Sequence, residues 1–179
     1  MGAALATAAL DLGHQVTIVS GPVHISYPSA ATLVQVVTTI ELEKAVKSIY
    51  PDCDGIIAAA APCDFKPRYP QNSKVKKTGD GITIEFLETG DILGQVSNKK
   101  KQGQWSVGFA LETENGIENA IKKLTQKNLD LIVLNGPGAM NAETNQVRII
   151  GDKGIVREAS GSKQLVAKEI LGTIQEQLI

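Results

Sequence analysis

From Gly2 to Leu134 the chain alternates helix-periodic stretches with short apolar runs, and that order permits few folds. Strand–helix–strand units close right-handed crossovers, so repeated alternation builds a mainly parallel sheet with helices on both faces. Gly2–Leu12 is rich in alanine and leucine and reads as a tightly packed helix. Gly13 is its C-cap candidate, and Gln15–Val19 reads as the next strand. Leu33–Val37 is a further strand, and Thr38 with Glu41 makes a capping-box pattern ahead of a helix over Ile40–Ile49. Gly55–Ala61 reads as a short buried strand, stopped by the prolines of Pro62–Pro67. Ile82–Leu87 alternates as an antiparallel or edge strand. Asp91–Lys99 reads as a helix, and Ser106–Leu111 as a buried strand. Asn115 and Glu118 repeat the capping-box pattern, and Ile117, Ala120, Ile121 and Leu124 then fall at i, i+3, i+4 and i+7 of a helix. Leu129–Leu134 is a strand. Val147–Ile150 and Ile155–Arg157 bracket Gly151–Gly154 as a hairpin, and Ser162–Ile179 closes the chain as a helix.

The expected fold is therefore α/β: a Rossmann-like, three-layer arrangement with a mainly parallel sheet and a C-terminal hairpin plus helix. The 179 residues suit one domain over 1–179. A net charge of −1 and a pI near 6.1 give no electrostatic reason to expect nucleic acid or a membrane surface as partner. No apolar run reaches the length that spans a bilayer, and no basic segment precedes Gly2–Leu12 as a secretory signal would require. Cys53 and Cys63 do not suggest a disulfide framework, and two histidines without a CxxC make zinc improbable. The expected location is cytoplasmic.

Ligands of open α/β sheets bind beyond the carboxyl ends of the strands. Four loops meet that condition: Ser20–Val23, Ala60–Pro67, Ala110–Asn115 and Asn135–Gly138. Asp64 sits in one of them. Lys74, Lys76 and Lys77 lie in the polar Tyr69–Gly81 loop, while Lys123 and Lys127, at i and i+4, share a helix face able to clamp a polyphosphate. Each signal has a plainer reading. Basic loops and lysine faces are usually just solvated. Asp64 and Asn135 could be turn residues, and Asp91 near a helix start is explained by the helix dipole. Cys63 fits a small buried thiol better than a nucleophile.

Taken together and in order, the motifs resemble the phosphopantothenate–cysteine ligase domain, the synthetase half of bifunctional bacterial coenzyme A enzymes. The matching stretches are Met1–Ala6, Val19–Val23, Ala58–Ala60 with Asp64–Pro67, and Lys74–Lys77. They continue with Asp91–Leu93, Val107–Ala110 with Glu112 and Thr113, Lys127–Val133, and Asn135. Departures occur at Ala61-Pro62-Cys63 before Asp64, at Thr89-Gly90-Asp91-Ile92 and at Leu134-Asn135-Gly136. The family's first strand, Gly-rich turn and catalytic Asn would precede Met1. The expectation is a domain N-terminally truncated relative to the family.

The resemblance implies a ligase that joins 4′-phosphopantothenate to cysteine. CTP activates the carboxylate as an acyl-cytidylate with loss of pyrophosphate, and the cysteine amine then displaces CMP. It implies that Ala58, Ala59 and Ala60 line the nucleotide through their backbone and that Asp64 binds CTP, by way of Mg²⁺. Lys74 contacts the nucleotide and supports catalysis, and Gly90, Asp91, Ile92 and Leu93 present a helix start. Phe109 packs in the same pocket, Lys123 and Lys127 hold the triphosphate, and Asn135 touches substrate. It further implies a homodimer, with Ile82–Leu87 and Val147–Arg157 as candidate pairing edges. Association with a flavin-dependent decarboxylase domain is also implied, with no flavin in this domain itself. Two other readings stay open. One is an inactive nucleotide-binding remnant or partner subunit. The other is an NADP-dependent oxidoreductase; the absence of an acidic residue at Ser20-Gly21 disfavours NAD.

Overall fold

The structure, a computed structural model, describes every residue except 72, 78, 80, 113 and 137–143. Helix α1 (Gly2–Asp11) leads to β1 (Thr17–Ser20), β2 (Thr32–Gln35) and α2 (Thr39–Ile49). A single 3-10 turn (Tyr50–Asp52) precedes β3 (Gly55–Ala58), β4 (Phe65–Pro67), β5 (Phe86–Glu88) and α3 (Ile92–Ser97). The order closes with β6 (Trp105–Leu111), α4 (Gly116–Gln126), β7 (Leu131–Asn135), β8 (Thr144–Gly151), β9 (Gly154–Ser162) and α5 (Lys163–Leu178). The main sheet runs β3-β6-β7-β8-β9. Its first three strands are parallel, and β8 and β9 are antiparallel. β1 and β2 form a parallel pair of their own, and β4 and β5 an antiparallel pair.

Strand alternation sorts the core into two layers. In register, Val107 faces Leu131 and Phe109 faces Val133; these four residues lie on the side covered by α1 and α5. Their neighbours Gly108, Ile132, Ala110 and Leu134 point the other way, and Ala120 and Leu124 of α4 cover them. Ile132, Ile149, Ile150, Ile170 and Ile174 are fully buried. Each contributes about 1.5–3 kcal/mol relative to exposure. The two-sided burial of β7 explains why it reads as an unbroken apolar run rather than an alternating one.

The local signals mostly hold, with instructive exceptions. Thr38 and Glu41 form the expected reciprocal capping box. Gly13 takes φ +85, the left-handed conformation its C-cap reading requires. Asn115 is no side-chain cap: it adopts φ 51 and its side chain makes no capping bond, so the Asn115/Glu118 box does not form. The segment read as a loop after Asp64 contains β4, which pairs with β5 in a short ladder. Pro67 ends this strand, where its missing N–H costs little. Only the end of the expected Ile82–Leu87 strand is paired, as Phe86–Glu88. The β3 strand stops at Ala58, before Ala61. The hairpin strands are longer than read, at Thr144–Gly151 and Gly154–Ser162. Among the described residues, no helix is long and apolar enough to cross a membrane.

Candidate nucleotide site

Because β3, β6 and β7 run parallel, their carboxyl ends share one edge of the sheet. Ala58 and Ala59 are half-buried at the end of β3, and Ala60 is exposed just beyond. Ala59 packs against the core on the α1/α5 side. Asp64 is exposed on the following loop, immediately before β4, and so is Cys63, which is not the buried thiol expected, because the loop runs outside the core. Thr89 ties that loop down twice. Its N–H donates to the Asp64 carbonyl at 2.8 Å, and its hydroxyl donates to the Cys63 carbonyl at 2.6 Å. The β4–β5 pairing thus sets Asp64 beside Gly90 and the start of α3.

Asp91 is the N-cap of α3, accepting from the Gly94 N–H at 3.1 Å. The same oxygen accepts from Lys127 Nζ at 3.0 Å. One turn earlier on α4, Lys123 Nζ donates to Glu112 at 2.5 Å, at the end of β6. The two lysines therefore do project from one face of α4, and that face meets both the α3 N-cap and the β6 end. The bond from Lys123 holds the Glu112 carboxyl below its usual range, with burial opposing.

Ile92 is buried, and Leu93 packs on β6 at Gly108, where an added Cβ would lie 3.2 Å from its methyl. Phe109 differs from expectation. It lies on the opposite face of β6 from Leu93, against the α1/α5 core, because successive strand residues alternate faces. Leu93 of α3 and Phe109 of β6 therefore pack on opposite faces of the sheet.

Lys74 lies in the exposed irregular stretch between β4 and β5. Asn135, the last residue of β7, accepts from the Asn145 amide at 2.9 Å. It lines a cleft of about 440 Å³ with Glu112, Gly116, Gln146 and Arg148. Asn145, buried beside it, was missed in the sequence; it is the second residue of β8, at the open end of the hairpin, and only the strand pairing reveals it. Thr113 and residues 137 and 138 of the Asn135–Gly138 turn lie outside the described residues. A second cleft, of about 690 Å³, follows the ends of β1 and β2, where Ser20 and Tyr27 hydroxyls meet at 2.8 Å.

The DNA/pantothenate metabolism flavoprotein C-terminal domain model matches residues 1–178. The coenzyme A biosynthesis bifunctional protein CoaBC of Bacillus subtilis is 42% identical over 97% of this chain and 44% of its own length. That of Borreliella burgdorferi is 37% identical over 96% of this chain and 44% of its own length. The chain thus spans less than half the length of these relatives. The crystal structure of the C-terminal domain of a CoaBC protein superposes with a TM-score of 0.81 at 34% identity, covering 99% of this chain and 81% of that one. With matches of this extent in both sequence and fold, the chain belongs to the family of DNA/pantothenate metabolism flavoprotein C-terminal domains.

Proposed function

We propose that this chain carries the nucleotide site of a ligase that joins 4′-phosphopantothenate to cysteine through an acyl-cytidylate formed from CTP. The observation that carries this reading is the convergence of Lys123 and Lys127 on the α3 N-cap and the β6 end, beside the Asp64 loop. Acyl-nucleotide formation builds negative charge on phosphate oxygens, and ammonium groups gathered at a strand-end crevice stabilise that charge. Small residues at Ala58–Ala60 allow a base or acyl group to approach the backbone closely. In this reading Lys74 assists from the β4–β5 connection, Asn135 contacts the substrate, and Phe109 walls the edge from the α1/α5 side.

The donor set fits magnesium carried in on the triphosphate. Among the described residues there is no group of three or more metal-binding side chains. Magnesium characteristically takes one or two carboxylates plus substrate phosphates, and Asp64 supplies such a carboxylate. When bound, the cation would neutralise phosphate charge. The relatives named CoaBC are bifunctional coenzyme A biosynthesis proteins, which supports association with a second, flavin-dependent decarboxylase domain. Exposed Ile155 and Val156 on the edge strand β9 support a homodimer.

The test is pyrophosphate release on mixing the protein with CTP, 4′-phosphopantothenate and cysteine, alongside titrations of CTP, ATP and NADPH. Pyrophosphate release that depends on the carboxylate substrate supports the ligase. CTP binding without turnover supports a nucleotide-binding remnant instead, and NADPH binding without CTP binding refutes the reading.

A further inference from the structure

Both lysines proposed to grip phosphate are already engaged by carboxylates. Lys123 donates to Glu112 at 2.5 Å, and Lys127 to Asp91 at 3.0 Å. In the first pair the carboxylate is the anchored member. The Glu112 side chain is 17% exposed against 44% for Lys123, and Asn119 also donates to it at 3.3 Å. The lysine is the longer, looser partner, and it is the member that can swing. The two ion pairs carry no net charge between them. A bare triphosphate must therefore draw Lys123 away from Glu112 before gaining its full charge. A triphosphate that already chelates a divalent cation has its oxygens partly neutralised and depends on Lys123 less.

We propose that Glu112 is a specificity-determining residue, a carboxylate that occupies the place of a phosphate on Lys123 and biases the site toward cation-bound rather than bare nucleotide. The inference rests on the reading of Lys123 and Lys127 as phosphate ligands. Glu112 acts through the lysine and not by touching the reacting atoms. Replacing it with glutamine keeps its size and its acceptor for Asn119 but removes the charge that holds Lys123.

The experiment is calorimetric titration of CTP, with excess magnesium and with excess chelator, into wild type, Glu112→Gln, Lys123→Ala and the double variant. Circular dichroism melts confirm that each variant is folded. In chelator, Glu112→Gln binds CTP roughly two- to fivefold more tightly than wild type, the range expected for one partly exposed ion-pair partner removed. In magnesium the gain is smaller, and on the Lys123→Ala background it disappears. The proposal is overturned if Glu112→Gln binds bare CTP no more tightly than wild type. It is also overturned if the gain is equal in magnesium and chelator, or survives loss of Lys123. Wild type failing to bind CTP even in magnesium would instead remove the nucleotide reading itself, and this proposal with it.

Discussion

Gly55 and Trp105 face each other across the β3–β6 ladder, and the indole lies where a side chain on Gly55 would stand. A Cβ at Gly55 would be 2.0 Å from Cε2, 2.2 Å from Cδ2 and 2.4 Å from Cζ2 of Trp105. Ordinary contact begins at 3.4 Å, so the ring must move by about 1–1.5 Å. It cannot do so by rotating a flexible tip, since all three atoms belong to the rigid ring system. Over-packing of this kind costs typically about 1–3 kcal/mol. Alanine recovers about 0.4–1 kcal/mol by narrowing the unfolded ensemble, because the backbone at Gly55 is ordinary strand. Gly55→Ala should therefore lose about 1–2 kcal/mol net and melt about 3–6 °C lower, given the entropy of unfolding of a chain this size. Trp105 is the only tryptophan, so its emission reports the displacement directly. The emission maximum should shift and near-ultraviolet dichroism should weaken. Gly21→Ala is the control, since nothing lies within 4 Å of its Cβ position. A Gly55→Ala protein that melts within about 1 °C of wild type with unchanged emission would refute the packing argument.

Thr38→Ala removes the hydroxyl that accepts from the Glu41 N–H and leaves the α2 N-terminus uncapped; a loss of about 1 kcal/mol in urea denaturation is expected, with Thr38→Ser restoring most of it. The Tyr50 hydroxyl is pushed up to about 12, first by burial and then by Asp130 and Cys53. Because the folded state favours the protonated phenol, its contribution is complete below the ordinary tyrosine value of 10 and is lost as pH rises from there toward 12. Absorbance at 295 nm, taken as wild type minus Tyr50→Phe, should titrate near 12, and a midpoint near 10 would contradict the burial.

The layered sheet was legible because its causes are local and periodic. Leu131–Leu134 is apolar at every position because both faces of β7 are covered, and the α4 stripe at Ala120 and Leu124 packs where its spacing requires. The capping box at Thr38 is likewise a contact between residues three apart. The misreadings have non-local causes. β4 consists of Phe65, Lys66 and Pro67, a trio with no strand signature, and exists through pairing with residues about twenty positions later. Asn115 carries the right side chain for a cap but occupies a left-handed backbone. In the site, the spacing of Lys123 and Lys127 forecast one shared helix face. Their carboxylate partners were invisible, because Glu112 and Asp91 reach α4 only through the packing of β6 and α3. The separation of Phe109 from Leu93 follows from strand alternation, once the register is known.

The short β4–β5 ladder works as a neck. Between Pro67 and Phe86 the chain leaves and returns through strands of three residues each, and below the neck Thr89 clasps the Cys63 and Asp64 carbonyls. The placement of Asp64 against the α3 start is thereby decoupled from whatever the excursion contains. Residues can be added, removed or exchanged around Lys74 while the strand-end crevice keeps its dimensions. Contacts made from the excursion and contacts made at the sheet edge are thus free to diverge independently.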